Sequence, residues 1–94
     1  MTALGMVEAT GFLAVFEVAE AMTKAARVEI RGMISLGSGM VAVAVEGELA
    51  QVNEGIRIAE EIFRAEGAQA VSCVVLAEPI PFVRTLFHNL GQVG

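Results

Sequence analysis

Few side chains in this sequence have the chemistry that catalysis requires. The single histidine, His88, lies beside Asn89 and has no acidic residue at a spacing that would orient it as a general base. The single cysteine, Cys73, lies in an apolar run, which favours a small core residue over a reactive thiolate. The spacing of the histidine, the cysteine and the scattered glutamates matches no metal site. We therefore predict a protein that is not an enzyme and that has no catalytic residue, metal or cofactor.

The loop Leu36-Gly37-Ser38-Gly39-Met40 is the other stretch with potential chemistry. Two glycines around a serine allow positive φ angles and close backbone approach, and they leave the Ser38 hydroxyl and the loop amides uncovered. The loop lacks the longer spacing and the lysine of a phosphate-binding loop, so it is a weak nucleotide signal. A plain hairpin turn is the default interpretation, and a functional role depends on the elements around the loop.

The composition limits the possible partners. The chain has 94 residues, 55% of them hydrophobic and 18% charged, and a net charge of −5. This length fits one domain, and a domain so small cannot bury that much apolar surface alone, so we expect a homo-oligomer. The acidic balance and the absence of Trp and Tyr argue against nucleic acid. We expect no membrane partner, signal peptide or disulfide, which fits a reducing cytoplasm.

Hydrophobic periodicity predicts the elements that hold the loop. Residues 3–9 form a predicted first strand, followed by a helix over 12–26 with Thr10 as its N-cap. Within this helix, Glu20 and Lys24 form an i,i+4 pair in the favourable orientation. The predicted covered side of the helix consists of Phe12, Val15, Phe16, Ala19 and Met22.

The loop joins two predicted strands, over 28–36 and 40–46, into a hairpin. The first of them is predicted to bury one face, which consists of Val28, Ile30, Ile34 and Leu36.

The second half of the chain predicts one more helix, one more strand and a tail. The helix extends over 48–65, with Gly67 as its carboxyl cap and Glu60–Arg64 as a surface pair. Residues 71–77 are apolar apart from Ser72, which predicts a fourth strand in the centre of the sheet. A short helix is predicted within the tail, residues 79–94. The order β-α-β-β-α-β predicts an α+β fold of the ferredoxin-like type, an α/β sandwich with two helices on one face of the sheet.

With these elements placed, four stretches resemble the bacterial microcompartment shell family, in its single-domain, hexamer-forming kind. They are Ala3-Leu4-Gly5-Met6-Val7-Glu8, Ala21-Met22-Thr23-Lys24-Ala25-Ala26-Arg27-Val28, Leu36-Gly37-Ser38-Gly39-Met40-Val41 and Val45-Glu46-Gly47-Glu48-Leu49. They correspond to the family's opening strand, the end of its first helix, its pore loop and the approach to its second helix. The resemblance covers almost the whole chain and implies a single domain over 1–94, with a core at about 3–78 and a tail over 79–94.

The resemblance implies a cyclic homohexamer that tiles into the facets of a protein shell around metabolic enzymes in the cytoplasm. The pore loops of six subunits would meet at the axis, so that Leu36, Gly37, Ser38 and Gly39 line a narrow opening for small polar metabolites. Ser35 stands near this opening, at a position where many members of the family carry lysine.

The resemblance also implies an edge along which hexamers meet each other and other shell proteins. Lys24 matches the family's edge lysine, and Arg27 follows it; the alternative for Lys24 is a solvated partner of Glu20. Glu78-Pro79-Ile80 departs from the family's arginine-proline-histidine pattern, which predicts altered tiling.

A second hypothesis is a small-ligand regulatory domain of the same βαββαβ order. It predicts dimers or trimers with a metabolite between subunits. The motifs of the shell family occur in order along the chain, which favours the first hypothesis.

Overall fold

A computed structural model describes residues 2–66 and 72–76. The elements are β1 (Thr2–Thr10), α1 (Phe12–Ala25), β2 (Glu29–Gly37), β3 (Met40–Glu48), α2 (Leu49–Ala65) and β4 (Ser72–Leu76). The predicted order and the predicted fold class are confirmed. The predicted Gly67 cap, His88 and the tail over 79–94 lie outside the described residues.

The described strands form one antiparallel sheet in the order β2-β3-β1-β4. Each helix connects two strands that have a third strand between them, so the two connections are interleaved. The fourth strand therefore lies at an edge of the described sheet, and the prediction that it is central is wrong. Its apolar character has another reason, since Cys73 and Val75 pack against the core under the helices.

Both helices pack on one face of the sheet, with α1 over the β2–β3 side and α2 over the β1–β4 side. The register pairs Val7 with Val43 and Ala9 with Val41, so these side chains point to the helices together. The α1 and α2 residues buried in this core are Val15, Val18, Ala19, Met22, Val52, Ile56, Ala59 and Phe63. A smaller apolar cluster on the opposite face of the sheet contains Ala42 and Ala44.

Two glycines in the sheet allow close approach where a larger residue would not fit. A Cβ atom at Gly5 would lie 2.8 Å from Val52 Cγ1 and 3.1 Å from Ile56 Cδ1. A Cβ atom at Gly47 would lie 2.7 Å from the carbonyl oxygen of Arg27. The first glycine sets the distance between β1 and α2, and the second lets the connection from α1 to β2 cross close to β3.

The prediction that Val28, Ile30, Ile34 and Leu36 share one buried face holds only for Val28, which precedes β2. Val28 is 7% exposed, whereas Ile30 is 39% and Leu36 47% exposed. The register against β3 shifts between Ile30 and Gly32 and again near Leu36, so the regular alternation is broken twice. Consequently Ile34 packs with the cluster on the face away from the helices.

The surface ion pairs also differ from the prediction. Arg57 forms salt bridges to Glu54 and Glu61, at 2.5 and 2.6 Å. Among the described residues, neither the predicted Glu20–Lys24 pair nor the predicted Glu60–Arg64 pair forms a salt bridge. Lys24 is exposed at the last turn of α1 and is therefore available to a neighbouring molecule.

Candidate functional site: the β2–β3 hairpin and its surroundings

The hairpin between β2 and β3 has a tight two-residue turn made of Ser38 and Gly39. The φ angles of Gly37, Ser38 and Gly39 are 89°, 54° and 81°. Positive φ at both central residues is typical of the type I′ turn, whose twist matches that of the flanking strands. The local sequence thus explains the turn, because glycine adopts positive φ angles without steric cost. Ser38 is the one residue of the three that is not glycine, and it also has a positive φ.

A backbone hydrogen bond joins this hairpin to the start of α1. The amide N–H of Gly11 donates to the carbonyl oxygen of Gly39 at 2.8 Å. The helix is capped at Gly11 without a side-chain hydrogen bond, so the prediction that Thr10 caps it is wrong. The Thr10 hydroxyl contacts the Met40 sulfur at 3.3 Å instead, which adds a second contact between β1 and the hairpin.

The turn presents hydrogen-bonding groups without charge. Residues 35–39 are exposed, so the Ser38 hydroxyl and the loop backbone face solvent. The stretch 32–45, which holds the hairpin turn and most of both strands, contains no ionisable side chain. Such a surface suits a small polar solute that is recognised by hydrogen bonds, with no contribution from attraction between charges.

The first turns of α1 carry an exposed apolar patch beside the hairpin. Phe12, Leu13 and Phe16 are 61%, 67% and 40% exposed, and the two phenyl rings stack with their centroids 6.2 Å apart. We call these three residues the α1 patch. The prediction that Phe12 and Phe16 lie on the covered side of the helix is wrong. At 100° per residue they lie on the flank of the stripe that Val15 and Met22 bury, and this spacing is the signal that was missed.

The described residues of the predicted edge lie at the opposite end of α1. Lys24 and Arg27 are both exposed. The backbone N–H of Arg27 donates to Gln51 Oε1 at 2.8 Å, which holds the connection from α1 to β2 against the start of α2. Glu78 and Pro79 lie outside the described residues, so their placement relative to Lys24 stays a prediction.

Comparison with known proteins identifies the family. The BMC domain family matches residues 3–79, which include both the hairpin and the Lys24–Arg27 segment.

The chain belongs to the BMC domain family.

Relatives of this BMC domain agree with that assignment along most of the chain. It is 42% identical to the carboxysome shell protein CcmK1 of Thermosynechococcus vestitus, over 82% of this chain and 69% of the relative. It is 39% identical to the carboxysome shell protein CsoS1 of Prochlorococcus marinus, over 98% of this chain and 89% of the relative. The predicted resemblance to the family is therefore confirmed.

The fold of this BMC domain also matches a solved structure. A microcompartment protein from Desulfitobacterium hafniense DCB superposes with a TM-score of 0.78 over 95% of this chain, at 26% sequence identity. This BMC domain spans about half of that protein, 48% of its chain. The match agrees with the strand order and the two-helix layer described above.

The described part of this BMC domain contains no group of three or more metal-binding side chains. No described helix has the length and apolar character needed to cross a membrane. Burial, with a smaller contribution from the charge of Glu60, raises the pKa of the Cys73 thiol to about 11. The thiol is therefore protonated at neutral pH, which agrees with the prediction of a core residue.

Proposed function

We propose that this BMC-domain chain is a structural subunit of a bacterial microcompartment shell. The observation that carries the proposal is the similarity to carboxysome shell proteins over nearly the whole chain. The subunit would assemble with other shell proteins in the cytoplasm and would enclose metabolic enzymes. It would have no catalytic role of its own.

The proposed assembly is a cyclic homohexamer with the six hairpins around its axis. Leu36, Gly37, Ser38 and Gly39 would line the central opening. Glycine on both sides of Ser38 would let six backbones crowd together, and the serine hydroxyls with the loop amides would face the solute. The stretch 32–45 contains no ionisable side chain, so six copies arranged in this way would form an uncharged opening.

Native mass spectrometry of the purified chain tests the assembly. We expect a particle of six protomers of 9.8 kDa each. A second measurement tests the axis: in a Cys73→Ser background, Ser38→Cys should form disulfides between subunits of isolated hexamers under mild oxidation. Lys24→Cys is the matched control and should remain reduced, because the proposal places it on the outer edge.

Two results would contradict this proposal. Masses of two or three protomers with a retained metabolite would favour the regulatory-domain alternative. A hexamer in which Ser38→Cys stays reduced while Lys24→Cys cross-links would place the hairpin outside and the predicted edge inside. This result would remove both the proposed central opening and the proposed passage of small polar solutes through it.

The hexamer edge is proposed to consist of Lys24, Arg27, Glu78 and Pro79. Glu78 stands where the family pattern has arginine, so we expect Glu78→Arg to increase the pelletable fraction of sheets or tubes several-fold. Glu78→Gln is the control, because it removes the negative charge without adding a positive one. Electron microscopy and sedimentation would measure the change, and an unchanged fraction in both variants would show that other residues determine tiling.

A further inference from the structure

We infer that the proposed opening selects small neutral solutes that carry a carbonyl oxygen, such as ketones, aldehydes and esters. This inference rests on the proposed hexamer and names the class of solute that its opening would pass. A carbonyl oxygen accepts hydrogen bonds and has no net charge, so its recognition needs donors and no counterion. The turn at Ser38 and Gly39 presents such donors in uncharged surroundings.

The backbone groups at the tip of the hairpin are unequally used. Gly37 and Met40 are the last pair of the ladder, so only Ser38 and Gly39 lie outside it. The carbonyl oxygen of Gly39 accepts the N–H of Gly11 at 2.8 Å. Within residues 2–66 and 72–76, the N–H groups of Ser38 and Gly39 donate no hydrogen bond, and both residues are exposed. Both amide donors of the tip are therefore available to a solute, whereas one of its two carbonyl groups is occupied.

The geometry of the turn separates the two kinds of group. In a type I′ turn both central residues have helical angles of left-handed sense, so their peptide dipoles align as in one turn of a helix. The N–H groups of Ser38 and Gly39 therefore point to one side of the hairpin and their carbonyl groups to the other. The bond from Gly11 identifies the carbonyl side as the side of β1 and α1. In the proposed ring, six pairs of amide donors would line the opposite side of the opening.

The charges of the described residues lie away from these donors. The stretches 9–16 and 32–45, which hold the start of α1 and the hairpin, contain no ionisable side chain. Lys24 lies in the last turn of α1, at the opposite end of that helix. Arg31 forms salt bridges to Glu29 and Glu46, which offset its charge. The amide donors consequently act without a cation beside them in the described part of the chain.

This arrangement favours a neutral solute over an anion. An anion would lose part of its hydration in a narrow opening, and the dehydration of a charge costs far more than that of a neutral carbonyl group. One or two amide hydrogen bonds offset the smaller cost, whereas the larger one requires a positive charge as well. Six copies that each have a net charge of −5 would also repel an anion on its approach.

Amide NMR titration of the wild-type hexamer tests the inference with acetone and acetate as probes. The two molecules have the same planar shape and differ in charge, and sodium chloride keeps the ionic strength equal in both titrations. We expect acetone to shift the Ser38 and Gly39 N–H signals with a dissociation constant lower than that of acetate by about 5-fold or more. The N–H signals around Lys24 are the internal control and should show no saturable shift.

Ser35→Lys is the matched variant, because Ser35 is exposed close to the turn and has no charge. Six added cations should reverse the order, so that acetate binds more tightly than acetone.

Several outcomes would overturn the inference and leave the proposed hexamer standing. In the wild-type chain these are tighter binding of acetate, equal binding of the two probes, or no saturable shift at Ser38 and Gly39. A Ser35→Lys variant that still prefers acetone would overturn it too, since charge would then not determine the selectivity. A chain that forms no hexamer, or a hexamer whose Ser38→Cys variant does not cross-link, would instead remove the proposed function itself.

Discussion

Replacement of Gly47 with alanine is expected to lower the free energy of unfolding by about 2 to 3 kcal/mol. The new Cβ would lie 2.7 Å from the carbonyl oxygen of Arg27, a distance that real Cβ contacts essentially never have. The obstructing atom belongs to the backbone, so it cannot turn away as a side chain would. The segment that carries Arg27 would have to move, although Gln51 holds its amide. Urea unfolding at a fixed protomer concentration measures the loss, because assembly makes apparent stability concentration-dependent.

Gly55→Ala is the control for this prediction. Gly55 is buried within α2, yet its Cβ would meet Met22 atoms at 3.8 Å, which is ordinary van der Waals contact. Since alanine favours the helix over glycine, this variant should be neutral or more stable by up to about 1 kcal/mol. Equal destabilisation by both substitutions would refute the steric explanation for Gly47.

Replacement of Gly5 with valine is expected to cost about 3 kcal/mol. Gly5 lies on the helix side of β1, and even a single methyl group there would approach Val52 Cγ1 to 2.8 Å. Val52 is fully buried, so it has no free volume into which to rotate. The variant would therefore push α2 away from the sheet and loosen the main core. Thermal unfolding together with chemical denaturation would measure the effect.

A double-mutant cycle identifies the cause of the Gly5 effect. Combination of Gly5→Ala with Val52→Ala should cost at least about 1 kcal/mol less than the sum of the two single variants, because the second change removes the atom that the new methyl group meets. Additive costs would show that the loss at Gly5 arises elsewhere, for example from the backbone of β1.

The order of elements was predictable because it depends on local signals. Alternation in the strands, the 3.6-residue period in the helices and the glycines near position 38 all act within a few residues. The position of β4 was not predictable in this way, because strand order depends on how two crossover connections interleave. The faces of β2 also escaped prediction, since its register shifts arise from pairing with β3 and leave no mark on the pattern of its own side chains.

In the candidate site too, some features follow from local residue types and others depend on contacts between distant parts of the chain. The turn at Ser38 and Gly39 was predictable from residue types that tolerate positive φ. The cap at Thr10 was wrong because Gly11 bonds to Gly39, twenty-eight positions further along the chain, and Thr10 contacts Met40. The α1 patch was not predicted, because Phe12 and Phe16 were placed on the covered side of the helix and Leu13 was assigned to neither side. Their helical spacing places Phe12 and Phe16 on the flank of the buried stripe, and the packing of α1 against the sheet leaves both exposed.

The bond from Gly11 to Gly39 has a consequence for traffic through the proposed ring. A turn that is bonded to a helix swings less freely than an unbonded flap, so widening the gap would require this hydrogen bond to break or whole subunits to shift. While this bond holds, the opening would keep one size cutoff that does not depend on the concentration of solute. A cell that needed a higher flux would then have to incorporate different hexamers into the shell.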